Sequence, residues 1–399
     1  STLFPYTTLF RSPYSFRDSF GLPAPCLRLG GRATFPPAMP RLLTPHFLRR
    51  GLEIFLLISL IGWAITFFYG RDPAAVFDAA RQLHWEWLLV GLALASLDWF
   101  GGGMRLWVLA RQVSPKPSLK GMILAGGMSA WASYLTPFQS GAAPMMIYTM
   151  RRYGLPTGVA MTTTLMSFVA TVAFFAIAGP LAIAFGAGRA LGAKEAILGL
   201  SLYDLFLGSL TIFVVLSVLL IGVMVFPRPA SRLLHRLAGW ASKRYSRIAG
   251  KLEKLRETID QAHDTMRQFN TLRGWMALGL AILISAPSHA NKLLAGYVAM
   301  RTLGIEANFV DILLVQTLIT FLLYFFAPTP GNSGIAEVLS ALIMASYVPK
   351  ALTPLYTLIW RLILSYFTIV AGFIVFTTWV RKGLQGISES GTAAVPEQA

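Results

Sequence analysis

The sequence has one cysteine, Cys26, and five histidines in 399 residues. A disulfide framework and a cysteine-rich metal site are thereby excluded, and no His/Glu spacing suits a metal ion. Charge is scarce as well. Asp, Glu, Lys and Arg make up 13% of the chain, against about 25% in a typical soluble domain. So few charges cannot cover a water-soluble protein of this size, and 55% hydrophobic residues exclude disorder. There is no Gly-rich nucleotide loop, no nucleophile elbow and no pair of catalytic carboxylates. The chain is therefore not expected to be an enzyme, or to hold a cofactor or metal. What it has is apolar sequence, with a mean hydropathy of +0.61, in runs near the ~20 residues that cross a bilayer. Lys and Arg number 34 against 17 Asp and Glu, a net charge of +17. In such a chain that excess reads as positive-inside loops rather than a nucleic-acid footprint.

Residues 2–12 read TLFPYTTLFRS, which resembles a translated sequencing adapter. With the Pro/Arg-rich stretch that follows, 1–38 are read as an artefact or a disordered leader, with Met39 as the native start. The apolar runs are 52–69, 87–110, 119–135, 142–150, 156–185, 205–226, 274–300, 310–326, 335–347 and 355–380. Two are too short to cross: 142–150 reaches about 14 Å as a helix and 335–347 about 20 Å. Each follows a Thr-Pro break and a Gly. The expected fold is an all-α polytopic membrane protein with six full spans and two re-entrant helical hairpins, 119–150 and 310–347. The expected domain is 39–382, with halves 52–185 and 205–380, a basic cytoplasmic insert 227–273 and a disordered tail 383–399. Lys and Arg concentrate in 41–50, 111–120, 151–152, 228–273 and 381–382, which places both termini in the cytoplasm.

The two breaks repeat. Thr136-Pro137-Phe138-Gln139-Ser140-Gly141-Ala142-Ala143 matches Thr329-Pro330-Gly331-Asn332-Ser333-Gly334-Ile335-Ala336 at five of eight positions, at a constant offset of 193. Three crossings between the copies would turn the second upside down, which makes an inverted repeat. Interrupted short segments in corresponding halves point to a transporter's binding site. Pro stops the incoming helix. Ser140 and Ser333 are expected to cap the returning helices, whose free N–H groups and positive dipole ends suit a phosphate or carboxylate. The alternative is that the small residues only allow close packing. Asp98, near the middle of its span, should face a partner or a cavity. Arg105 is expected to snorkel to the inner headgroups. His289 and Lys292 share a helical face with Ser285 and Asn291 after Pro287, and serve either helix packing or substrate contact.

These residues also carry a family likeness. TPFQSGAAPMMIYTMRRYGLPTGVA, PTPGNSGIAE and Trp360-Arg361-Leu362 with Tyr366 resemble the signatures of the flippase-like transmembrane domain of lysylphosphatidylglycerol synthases, over about residues 45–382. In the synthases a soluble aminoacyltransferase domain follows. Here about seventeen residues follow the last basic pair, so the resemblance implies lipid translocation and not synthase activity. Glu337 has two readings: compensation of a helix N-terminus, or a pair with Arg361 that shapes the cavity or relays a proton. In the insert, Ile248, Leu252, Leu255, Ile259, Ala262, Met266 and Phe269 alternate spacings of four and three, an amphipathic helix suited to anionic headgroups. The expected function is translocation of an anionic phospholipid or polyprenyl-linked lipid across the cell (inner) membrane. Transport of a small anionic solute, or an accessory role in envelope lipid synthesis, are the alternatives. The expected partners are membrane lipids, with a second copy or a soluble transferase as further candidates.

Overall fold

The computed structural model describes residues 45–70, 72–185, 201–225, 269–325 and 328–392. The expectations for 1–38, and those for the insert up to residue 268, lie outside the described residues. The described residues fall into two units, 45–369 and 370–392. The site lies wholly within the first.

The described residues contain helices and no strands. The chain opens with α1 (Pro45–Gly70), α2 (Pro73–Arg81) and α3 (Trp85–Ala110). Next come α4 (Leu119–Tyr134), a 3-10 turn at Pro137–Gln139, α5 (Ala142–Arg152), α6 (Thr157–Ala184) and α7 (Leu202–Val225). The second half has α8 (Leu272–Ser288), α9 (Ala290–Thr302), α10 (Phe309–Phe325), a 3-10 turn at Pro330–Asn332 and α11 (Ile335–Met344). It closes with α12 (Thr353–Arg361), a π-helical turn at Leu362–Tyr366 and α13 (Phe367–Thr392). Local sequence sets several of these starts. Ser118 accepts from the Gly121 N–H at 3.2 Å and Thr271 from the Gly274 N–H at 3.1 Å, each satisfying an orphan donor of the first turn.

Among the described residues, five stretches are long and apolar enough to cross a bilayer: His46–Phe68, Trp85–Ala110, Thr157–Ala184, Tyr203–Gly222 and Lys350–Trp379. Their outward faces carry large apolar side chains such as Leu57, Leu60, Leu181 and Leu219, the mark of a surface solvated by lipid. The protein is a multi-pass, all-α membrane protein. The run 274–300, read as one span, is two helices meeting at His289. Pro287 cannot donate in the last turn of α8, and the His289 N–H instead takes the carbonyls of Ser285 and Ala286. The final helix also runs to Thr392, into the stretch expected to be a disordered tail, since no proline interrupts it before Pro396.

The repeat seen in the sequence is also conformational. Phe138 (φ 53°) and Gln139 (φ 53°) occupy the left-handed region in the first turn, and Gly331 (φ 57°) and Asn332 (φ 55°) occupy it in the second. These pairs stand 193 residues apart, as does the hydrogen bond from Asn291 Nδ2 to Asp98 Oδ2 at 3.0 Å. The same offset links close contacts within the two halves. A Cβ on Gly103 would collide with Ile123 Cα, and one on Gly296 would collide with Gln316 Nε2. Helices α3 to α6 thus repeat as α9 to α12. The two turns touch each other, and residues at equivalent positions can meet only near the axis that relates the copies.

Phe138 carries strain that its counterpart Gly331 avoids. A left-handed L-residue costs about 1–2 kcal/mol, part of which glycine returns through the unfolded chain. Because Phe138 is 69% exposed, its ring gives up little packing. Phe138→Gly is expected to stabilise the detergent-solubilised protein by about 0.5–1 kcal/mol, read as a rise in Tm.

Candidate functional site

Both turns border a cavity of about 260 Å³. Its wall takes Asp98 and Arg105 from α3, Ser133 and Tyr134 from α4, and Gln139 from the first turn. Thr164, Ser167 and Thr171 of α6 line it too, with His289, Lys292, Gly331, Asn332 and Arg361. Three cations therefore border one space inside an apolar bundle, and each is held differently.

Lys292 pairs with Asp98, Nζ to Oδ1 at 2.7 Å. Asp98 also accepts from Asn291 at 3.0 Å and, through Oδ2, from the Tyr134 hydroxyl at 3.4 Å. Tyr134 donates more closely to the Leu364 carbonyl, at 2.8 Å. That carbonyl lies in the π-helical turn, where the wider i→i+5 pattern leaves backbone acceptors for other donors.

Arg361, on the last residue of α12, is 1% exposed. Its Nε lies 2.9 Å from Glu337 Oε1. Both terminal nitrogens donate to the Gly331 carbonyl at 3.2 Å, so α12 holds the second turn through one guanidinium. The rings of Phe55 and Tyr366 flank it, with centroids 5.5 and 5.7 Å from Cζ. Ser59 of α1 donates to Glu337 Oε1 at 2.5 Å and shares a 2.7 Å hydrogen bond with Tyr366. Glu337 Oε2 is buried without a hydrogen-bond partner.

Arg105 does not snorkel. It is buried on the cavity wall, and one terminal nitrogen donates to Thr171 Oγ1 at 2.7 Å and to Ser285 Oγ at 3.1 Å. Those hydroxyls reach it from α6 and α8 and hold it inward. Its Nε has no hydrogen-bond partner, and no carboxylate pairs with it among the described residues. His289 Nδ1 lies 2.8 Å from the Ser285 carbonyl. That nitrogen therefore carries the proton, and in the neutral ring Nε2 is the acceptor. Phe174 stacks on the ring and Phe175 meets its edge.

Of the residues singled out in the sequence, Asp98, His289, Lys292, Gly331 and Arg361 line the cavity. Thr136, Pro137, Ser140, Gly141, Thr329, Pro330, Ser333, Gly334 and Glu337 build the turns and their supports instead. The expected serine caps are not formed. Gly141 and Gly334 occupy the N-cap positions. Ser140 faces outward, and Ser333 turns its hydroxyl back to the Pro330 carbonyl at 2.9 Å. Thr136 Oγ1 takes the Gly141 N–H at 2.8 Å, and Thr329 Oγ1 donates to the Ser333 carbonyl at 2.8 Å. Gly334, at φ 79°, occupies a conformation that L side chains rarely adopt. Sequence reasoning missed Arg105, Gln139 and Asn332 as cavity residues. It also missed Thr164, Ser167 and Thr171, whose spacing of three and four marks one face of α6.

The comparisons with known proteins agree with this architecture. The profile of the family described as the lysylphosphatidylglycerol synthase TM region matches residues 52–372. A UPF0104 membrane protein of Archaeoglobus fulgidus is 25% identical over 322 residues, covering 80% of this chain and 94% of the relative. No solved structure matches significantly. The match covers the two turns, all three cations and both carboxylates, and on that extent the chain belongs to the lysylphosphatidylglycerol synthase TM region family.

Proposed function

We propose that the protein moves a lipid with an anionic, phosphate-bearing headgroup between the leaflets of the cell membrane, as a transporter and not an enzyme. One observation carries this reading. Arg105 is a buried cation facing a cavity, with an Nε that has no hydrogen-bond partner, two hydroxyls on one terminal nitrogen, and no ion pair among the described residues, since its neighbour Asp98 is paired with Lys292. A buried charge is tolerated when it is paired. Lys292 has Asp98 and Arg361 has Glu337, so the missing anion belongs at Arg105. Guanidinium is suited to phosphate oxygens, and the Thr164, Ser167 and Thr171 hydroxyls beside it extend a polar face to the rest of a headgroup. The cavity lies below the ~300–1,000 Å³ of a drug-sized pocket, so it suits a headgroup and leaves acyl chains outside.

That small volume also favours one rival, a transporter of a small soluble anion. Proteoliposomes separate the two. Wild-type protein is expected to scramble fluorescent phosphatidylglycerol, scored by dithionite bleaching, well ahead of phosphatidylcholine. Arg105→Ala should slow the anionic probe by about tenfold, the effect of losing ~1.4 kcal/mol of headgroup binding. Uptake of glycerol 3-phosphate with no lipid scrambling would transfer the site to the soluble anion. We place both termini in the cytoplasm, from the distribution of Lys and Arg. The partners we assign are anionic membrane lipids, with a second copy or a soluble transferase as further candidates and no nucleic acid.

A further inference from the structure

If the headgroup sits at Arg105 and the tails cannot enter, there must be a way out of the cavity toward lipid. The wall residues that also reach the outer surface identify it. Ala143 of α5 and Phe168 of α6 are both exposed and both line the cavity, and Met146 lies half-buried between them. The rim of this gap is apolar.

The repeat gives the gap a counterpart. Moving 193 residues on, α5 and α6 become α11 and α12, and the burial inverts. Ala143 becomes Ala336, which is fully buried. Phe168, 49% exposed, becomes Arg361, 1% exposed, and half-buried Thr164 becomes fully buried Thr357. Two contacts close the second gap. The Arg361–Glu337 ion pair joins α12 to α11. Helix α1 lies across both, with Ser59 on Glu337, the Trp63 indole N–H on the Pro354 carbonyl at 3.1 Å, and Gly62 against Gly334. The pair is absent from the first half, where position 144, the counterpart of Glu337, is Pro144 and position 168 is Phe168.

We propose that the α5/α6 gap is a lateral gate through which the tails of a bound lipid extend, and that α11/α12 is its repeat-related twin, latched by Arg361–Glu337 beneath α1. Counting α8 and α9 together as one crossing beside Thr157–Ala184 and Tyr203–Gly222 makes three crossings between the two turns, an odd number that would turn the two gates toward opposite leaflets. One bound headgroup could then exchange its tails from one gate to the other without leaving the cavity. Gates for lipid tails rest on the lipid transport proposed above.

The test graduates the first gate and probes the second. In a Cys26→Ser background, Ala143→Cys is modified with thiol reagents of increasing bulk and reconstituted. Scrambling of the fluorescent phosphatidylglycerol is expected to fall stepwise, by about tenfold or more with the largest reagent. The same series at Leu57→Cys, on the outer face of α1, should change nothing. Separately, a bimane on Thr357→Cys should be quenched weakly by brominated acyl chains, and more strongly once Glu337→Gln releases the latch. Undiminished scrambling with the largest reagent at position 143, or quenching at 357 that ignores Glu337→Gln, would overturn the gates while leaving lipid transport intact. A wild-type protein that carries glycerol 3-phosphate but scrambles no lipid would instead remove the lipid reading, and the gates with it.

Discussion

Glu337→Ala is expected to abolish the proposed lipid scrambling and to destabilise the protein by about 3–5 kcal/mol, the usual effect of removing one partner of a buried ion pair. Arg361 is then a guanidinium at 1% exposure whose remaining polar acceptor is the Gly331 carbonyl. Its charge is then uncompensated, so the turn it holds must shift or the helix must move. Ser59, which also bonds the Tyr366 hydroxyl, loses the carboxylate that ties α1 to the site. Glu337→Gln keeps a hydrogen-bonding oxygen for Ser59 while removing the charge, and should cost less stability. Thermal unfolding in detergent measures the first effect and reconstituted scrambling the second. A Glu337→Ala protein with wild-type Tm and wild-type scrambling would show that the pair is ornamental.

The second large effect is at the first cation. Asp98→Ala strands Lys292 and also deprives Asn291 of an acceptor, and is expected to cost about 3–5 kcal/mol. Adding Lys292→Met replaces the stranded charge with an apolar side chain of similar length. Much of the lost stability should return, since a buried pair replaced by apolar residues is often neutral. Scrambling should not return, because one cation of the cavity is gone and the repeat axis has lost the Asp98–Asn291 bond. The double-mutant comparison separates a folding role from a binding role, as these side chains are in contact and their effects will not add. Full recovery of both stability and scrambling in the double variant would contradict a binding role for Lys292.

The membrane class and the repeat were legible in the sequence because both are written in local signals. Apolar length reports a span, and Thr-Pro with Ser-Gly at a fixed offset reports a break. The breadth of the repeat was not legible. Gly103–Ile123 and Gly296–Gln316 are equivalent contacts made by dissimilar residues, so only the fold exposes them. Asp98–Asn291 hides for the same reason, since a carboxylate and an amide do not look like copies. Arg105, expected to snorkel to the inner headgroups, points inward instead. What decides its direction is Thr171 and Ser285, 66 and 180 residues away. The serines of the two motifs looked like helix caps, a plausible local reading. Gly141 and Gly334 take that place, the latter in a left-handed backbone. Glu337 and Arg361 were the pair the family resemblance suggested, and the structure places them 2.9 Å apart.

The proposed occupant of the cavity bordered by the two turns is an anionic headgroup. Ala130, half-buried on the cavity wall, offers a direct probe as Ala130→Cys in the Cys26→Ser background. Its modification by a small water-soluble thiol reagent can be timed in nanodiscs of phosphatidylglycerol and of phosphatidylcholine. The account predicts slower labelling in the anionic lipid, with the difference erased by Arg105→Ala. Equal labelling rates in the two lipids, with Arg105 intact, would contradict it.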